Sequence, residues 1–142
     1  MADPKHAAAT AEVLAANEAF YGAVEAGDLD GLRAVWTEAK GSVCVHPGAA
    51  PIHGTAAVLR SWAVVMASND YIQFFLTDVA VTVTGATAAV TCTENVLTGG
   101  GPGAGSASFR GGRAQAVNVF TKVDGRWRVW LHEAAPVGSD LL

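Results

Sequence analysis

The chain has 142 residues, 51% hydrophobic and only 15% charged, with a formal net charge of −4 at pH 7. A chain of this length suits one domain with a real core, since about two-thirds of the surface of the unfolded chain is buried at that size. Its nine Lys and Arg residues form no stripe that would neutralise phosphates, and no run nears the length of a membrane-spanning helix, so neither nucleic acid nor membrane is an expected partner.

Residues 1–142 read as a single domain, with 1–7 as a disordered tail. Glu12 interrupts the Ala-rich N-terminal stretch where the core of a secretion signal would lie, so the expected location is cytoplasmic. From Ala8 to Ala26, Val13, Asn17, Phe20 and Val24 recur at spacings of three and four, which predicts an amphipathic helix ended by Gly27. Asp28 can cap a second, short helix running through Trp36. Val43 to His46 is a brief β-type run closed by Pro47, so His46 is presented at a strand end. Thr55 is placed to cap a third helix carrying Val58, Leu59, Trp62, Val65 and Met66.

The remainder reads as strands, because β-branched residues alternate with others over 72–84, 87–97, 115–123 and 126–135. Asp124-Gly125 is a strong two-residue hairpin signal and Gly85-Ala86 a weaker one. Residues 99–112 are glycine-rich and predict a flexible loop. Helices followed by a strand meander predict an α+β fold: three N-terminal helices on an antiparallel sheet. Cys44 and Cys92 lie in apolar strand-like runs and read as small buried hydrophobes.

Several segments resemble one known family. These are Phe20 to Asp30 at the first helix junction, Val45-His46-Pro47-Gly48, Ile52-His53-Gly54 with Ser61-Trp62, and Asn118-Val119-Phe120 joined through Asp124-Gly125 to Arg126-Trp127-Arg128-Val129, His132 and Ala135-Pro136-Val137. Together they resemble the SnoaL-like branch of the nuclear-transport-factor-2-like superfamily. The resemblance implies a cone-shaped roll whose strongly curved sheet and helices enclose a deep apolar pocket, commonly in a homodimer. The superfamily includes ketosteroid isomerases, polyketide cyclases, dehydratases and association domains, so fold alone does not select the activity. By the same resemblance His46 occupies the place of the isomerase's general-base Asp, and an imidazole is well suited to that work near neutral pH. The isomerase's second, protonated Asp corresponds to Asn118, whose amide can donate to a developing oxyanion. Its helix-1 tyrosine falls on Phe20, with Tyr21 about 100° away around the helix, so that donor reads as lost.

Other candidates come from the residues themselves. Glu94 shares a strand face with Val90, Cys92 and Val96, where an ionised carboxylate is costly without a partner; it is either a pocket acid or reaches solvent past a bulge. A regular turn at Asp124-Gly125 would set Asn118 opposite Leu131 and turn His132 to the other face, and a bulge beside the turn would reverse this. Phe20, Tyr21, Trp36, Trp62, Phe120 and His132 are the expected pocket lining, although such aromatics also serve as core. The spacing of His46, His53, His132 and Glu94 matches no familiar zinc pattern, and Pro102 spoils the glycine run as a dinucleotide loop, so no metal or cofactor is expected. The sequence thus points to a small, largely hydrophobic carbonyl-type ligand, with His46, Asn118 and Glu94 as catalytic candidates for isomerase, cyclase or dehydratase chemistry. A non-catalytic ligand-binding or dimeric association domain is the alternative.

Overall fold

The computed structural model describes residues 3–38, 41–99 and 110–137. Helix α1 spans Pro4–Ala26, α2 Leu29–Val35 and α3 Thr55–Ser68. The strands are β1 Val43–Val45, β2 Ile52–His53, β3 Tyr71–Thr84, β4 Thr87–Gly99, β5 Arg110–Val123 and β6 Arg126–Pro136. Among the described residues they form one six-stranded sheet in the order β2-β1-β6-β5-β4-β3, with the helices packed on it in an α+β arrangement.

Helix α1 begins earlier than the amphipathic pattern indicates. Asp3 accepts a hydrogen bond from the Lys5 N–H and Pro4 opens the helix, so residues 4–7 are helical rather than a tail. Gly27 ends α1 in the left-handed region at φ 64°, and the Asp28 carboxylate then caps α2 through the Gly31 N–H. The tight junction turns the chain back so that Phe20 of α1 and Trp36 beyond α2 meet, with ring centres 5.8 Å apart.

Three further expectations are corrected. The sheet is mixed rather than antiparallel, because β1 runs parallel to β6, Cys44 pairing with His132. Thr55 does not cap α3: Gly54 occupies that place, and the Thr55 hydroxyl donates instead to the Thr37 carbonyl at 2.6 Å, tying α3 to the end of α2. The loop expected over 99–112 is narrower, since Gly99 belongs to β4, and Gly111 and Gly112 pair with Leu97 and Val96. Ladder pairing with β4 outweighs the poor strand propensity of these glycines. The rest of that loop lies outside the described residues.

Two irregularities shape the sheet. One interrupts the β3–β4 register between Thr77 and Ala80, where Asp78 adopts a positive φ of 54°. The other lies in β5–β6: Val119 pairs with Leu131 but Phe120 with Val129, leaving Trp130 as the extra residue of a bulge. Such a bulge bends its strand and reverses the facing of all that follows. The core then runs between α1 and the inner sheet face, from Val13, Phe20 and Val24 to Val90, Cys92, Ala116, Phe120 and Val129.

Replacing Gly27 by alanine tests the α1–α2 junction. Space is open where the new Cβ would sit, so the cost should be that of a left-handed backbone alone, about 1 kcal/mol, read as a lower urea midpoint with an unchanged m-value.

Candidate functional site

The bulge at Trp130 places His132 directly opposite Asn118, so both point to the inner face. On β4, Glu94 shares that face with Val90 and Cys92 and is only 4% exposed. The intervening inner positions on β5 and β6 are Ala114, Ala116 and Ala134, small buried residues over which longer side chains can extend. Helix α1 covers them with Asn17, Phe20 and Tyr21.

Tyr21 is the main departure from the expected site. Its hydroxyl donates to Glu94 Oε2 at 2.6 Å and accepts from Asn118 Nδ2 at 3.0 Å. The tyrosine donor is therefore present on α1, one residue beyond its expected place. The buried arc of a helix packed on a sheet is wide enough to take in both Phe20 and Tyr21. Asn118 Nδ2 also donates to Asn17 Oδ1 at 2.9 Å, and Asn118 Oδ1 lies 2.5 Å from His132 Nδ1. His132 Nε2 is 4.0 Å from Glu94 Oε2. Asn17, Tyr21, Glu94, Asn118 and His132 thus form one buried polar cluster inside an apolar shell.

Beside the cluster lies a cavity of about 210 Å³. Its titratable lining is His46, Glu94 and His132; its apolar walls come from Trp62, Val65, Ile72, Phe74 and Val96, with Pro47 and Thr98 completing it. His46 Nε2 is 2.9 Å from Ser61 Oγ, whose own proton goes to the Val58 carbonyl at 2.6 Å. His46 therefore donates through Nε2, and its Nδ1 is left as the acceptor nitrogen. Trp62 packs edge-on against His46 at 4.6 Å and lies 5.5 Å from the His132 ring, holding both imidazoles in place. The larger groove of about 500 Å³ between α1 and β3, which includes Leu14, Leu76 and Val81, has no buried titratable side chain among the described residues of its lining.

The expected site residues are thus brought together only in part. His46, Glu94, Trp62 and His132 line the cavity. Asn118 does not; it stands behind His132 with both amide hydrogens engaged. Phe20, Trp36 and Phe120 are fully buried core, and Phe20 supports the His132 ring at 5.1 Å. Tyr21 packs on Phe74 at 4.9 Å and reaches the cavity only through Glu94. Asn17 and Ser61 were not singled out as candidates. Asn17 offered one signal, a polar residue in the buried stripe of the α1 pattern. Among the described residues no group of three or more His, Cys, Asp or Glu is placed to hold a metal ion, and no helix is long and apolar enough to cross a membrane.

Burial sets the protonation of the site. It raises the Glu94 pKa, an effect the Tyr21 hydrogen bond partly offsets. It lowers that of His132 to about 3, with the neighbouring His46 adding to the shift, and lowers that of His46. Burial, with Glu94 adding to it, raises the Tyr21 phenol, and burial raises the Cys44 thiol to about 12. Near neutral pH both imidazoles are uncharged, and Glu94 holds its proton to higher pH than an ordinary carboxyl group.

With this geometry in view, sequence and structure comparisons agree. The profile of the SnoaL-like domain matches residues 13–137. The chain belongs to the SnoaL-like domain family. A nuclear transport factor 2-like protein of Streptomyces avermitilis, described as a candidate dehydratase, shares 45% identity over 93% of this chain and 98% of its own, with a TM-score of 0.84. A candidate calcium/calmodulin-dependent protein kinase type II association domain of Thiobacillus denitrificans is 30% identical over 87% of this chain and 94% of its own, TM-score 0.73. A nuclear transport factor 2-like superfamily protein of Salmonella enterica matches in fold at TM-score 0.84 and 11% identity, over 96% of both chains. No curated protein matches the chain. This SnoaL-like domain therefore has the nuclear transport factor 2-like fold.

The depressed His132 pKa carries a linkage consequence. The unfolded chain takes up a proton near pH 6.5 that the folded ring resists until about pH 3. His132 therefore costs no stability above pH 6.5, and its cost grows roughly tenfold in the folding constant per pH unit as pH falls below it. Urea unfolding at pH 7.5, 6 and 5 should show wild type losing stability on acidification faster than His132→Gln by this factor. Parallel curves would contradict the assignment.

Proposed function

We propose that this SnoaL-like domain binds a small, neutral, largely hydrophobic β-hydroxy carbonyl compound and removes water from it. The observation that carries this reading is the convergence of a basic imidazole, His46, and a proton-holding carboxyl, Glu94, on one apolar cavity. Elimination needs such a pair, a base for the C–H and an acid for the departing hydroxyl. Among the described residues the lining includes no Lys or Arg, and a neutral substrate fits this apolar wall better than an anion. A volume of about 210 Å³, about seven water volumes, suits one ring rather than a fused four-ring skeleton. The similarity at 45% identity to a candidate dehydratase supports the same reading.

His46 Nδ1 takes the proton α to the carbonyl, and the C–H electron pair becomes the new C=C bond. The β C–O bond breaks with its electrons on oxygen, which receives the Glu94 proton and leaves as water. The imidazolium then returns its proton to the Glu94 carboxylate through that water.

With 3-hydroxycyclohexanone as probe, formation of the conjugated enone is followed by ultraviolet absorbance. His46→Ala and Glu94→Gln should each lower kcat by about 10²- to 10⁴-fold while far-UV circular dichroism stays unchanged. Activity should fall on acidification as His46 protonates, below the usual imidazole range, and on raising the pH as Glu94 ionises, above the usual carboxyl range. If a panel of β-hydroxy ketones is not turned over, or His46→Ala retains full activity, the reading fails.

A second reading rests on the outer sheet face. Phe75 and Val117 lie there at 57% and 38% exposure, and the 30% identical neighbour is a candidate association domain. This favours a homodimer through that face, compatible with catalysis within each subunit. Sedimentation equilibrium should give a dimer mass for wild type and a monomer mass for Phe75→Glu; a monomeric wild type would remove this reading.

A further inference from the structure

The buried cluster behind the cavity contains a proton arrangement that its hydrogen bonds determine. An amide nitrogen has two hydrogens to give and nothing to accept with. Asn118 Nδ2 faces two oxygens, Asn17 Oδ1 at 2.9 Å and Tyr21 Oη at 3.0 Å. The tyrosine's own hydrogen is committed to Glu94 Oε2 at 2.6 Å, so its oxygen is free to accept. The amide's remaining atom, Oδ1, must then be the one against His132 Nδ1, at 2.5 Å. Two acceptors at that distance would repel, so Nδ1 carries the proton, and in a neutral ring Nε2 has none.

Nε2 is 4.0 Å from Glu94 Oε2. That is beyond a direct N–H···O hydrogen bond, which closes to about 2.7–3.2 Å, and too long for a well-formed buried ion pair between the two. It is the spacing left when one oxygen stands beside both groups. Both residues line the cavity, so the gap opens on the space where a ligand would sit.

We propose that Asn118 is a positioning residue that holds His132 as the Nδ1–H tautomer, making His132 Nε2 and the Glu94 carboxyl a notch for one hydroxyl group. The hydroxyl donates to Nε2 and accepts from Glu94. This inference rests on reading the cavity as the substrate site, and it gives the leaving hydroxyl an address: its oxygen lies against the acid that protonates it, while its hydrogen is held by His132. Phe20 and Trp62 pack on the His132 ring, keeping it from turning its other nitrogen to the cavity. Burial, which disfavours the charged form of both the imidazole and the carboxyl, acts in the same direction.

The tautomer can be read without any turnover. Long-range ¹H–¹⁵N correlation spectra of ¹⁵N-histidine-labelled protein at pH 7 should show His132, assigned by its loss in His132→Gln, as a neutral ring with Nδ1 protonated. In Asn118→Leu, with the acceptor gone, the proton should move to Nε2. Binding is measured in the His46→Ala background, where the hydroxy ketone is not consumed, by titration with cyclohexanone and 3-hydroxycyclohexanone. With Asn118 intact this protein should prefer the hydroxylated ring by about tenfold, and adding Asn118→Leu should abolish that preference while cyclohexanone still binds. An Nε2–H or cationic His132 in wild type overturns the proposal even if the variant does not fold. So does a correct tautomer with equal binding of the two ketones. Either failure leaves elimination by His46 and Glu94 standing, whereas inactive wild type with the expected tautomer and hydroxyl preference would refute the reaction and keep the notch.

Discussion

Burying a carboxyl group in an apolar interior is the constraint around which this molecule is organised. Glu94 stands on the inner sheet face, where desolvation of its charge is costly unless it stays protonated or is well bonded. The answer is a short bond from Tyr21, which in turn needs Tyr21 oriented by Asn118, and Asn118 positioned by Asn17 and His132. Each member satisfies the next, and partial satisfaction in such a cluster is worse than none. The cluster joins α1 to β4, β5 and β6, so assembling helix on sheet and assembling the site are one event.

That cluster depends on a single extra residue. Without the bulge at Trp130, β6 would present Leu131 to Asn118 and turn His132 away. With it, one strand serves two purposes: Val129 closes the core below the bulge and His132 serves the cavity above it. Strand β1 then pairs in parallel with the same part of β6, Cys44 beside His132, and so delivers His46 to the cavity rim. Trp62 packs on both imidazoles and Phe20 on that of His132, an apolar support for polar groups that must not move far.

Much of this was legible in the chain. The amphipathic stripe from Val13 to Val24, the Gly27-Asp28 junction, the Asp124-Gly125 turn and the alternation of β4 located the helices and the meander, because each is a local signal decided within a few residues. His46 before Pro47 and Glu94 among Val90, Cys92 and Val96 stood out as polar groups in apolar settings. The bulge beside the Asp124-Gly125 turn stood only as an alternative to the regular hairpin, because Val129-Trp130-Leu131 is apolar at every position and either facing satisfies the pattern. The β1–β6 parallel pairing was hidden because nothing in a three-residue strand names a partner so far along the chain.

The sequence by itself located the main helices and strands, though not all their ends, the hairpin turns and which polar residues fall on apolar faces, since propensity, capping and periodicity act over one or two turns of chain. Only the tertiary structure decided which of those polar residues meet. Tyr21 became the donor to Glu94 because the buried arc of α1 spans two adjacent residues. His132 joined the cavity because a bulge shifted strand parity. Asn118 moved from the expected oxyanion position to a place behind the imidazole because its amide hydrogens were claimed by Asn17 and Tyr21. Hydrogen-bond satisfaction in a closed interior is a property of the whole set, and no segment carries it alone.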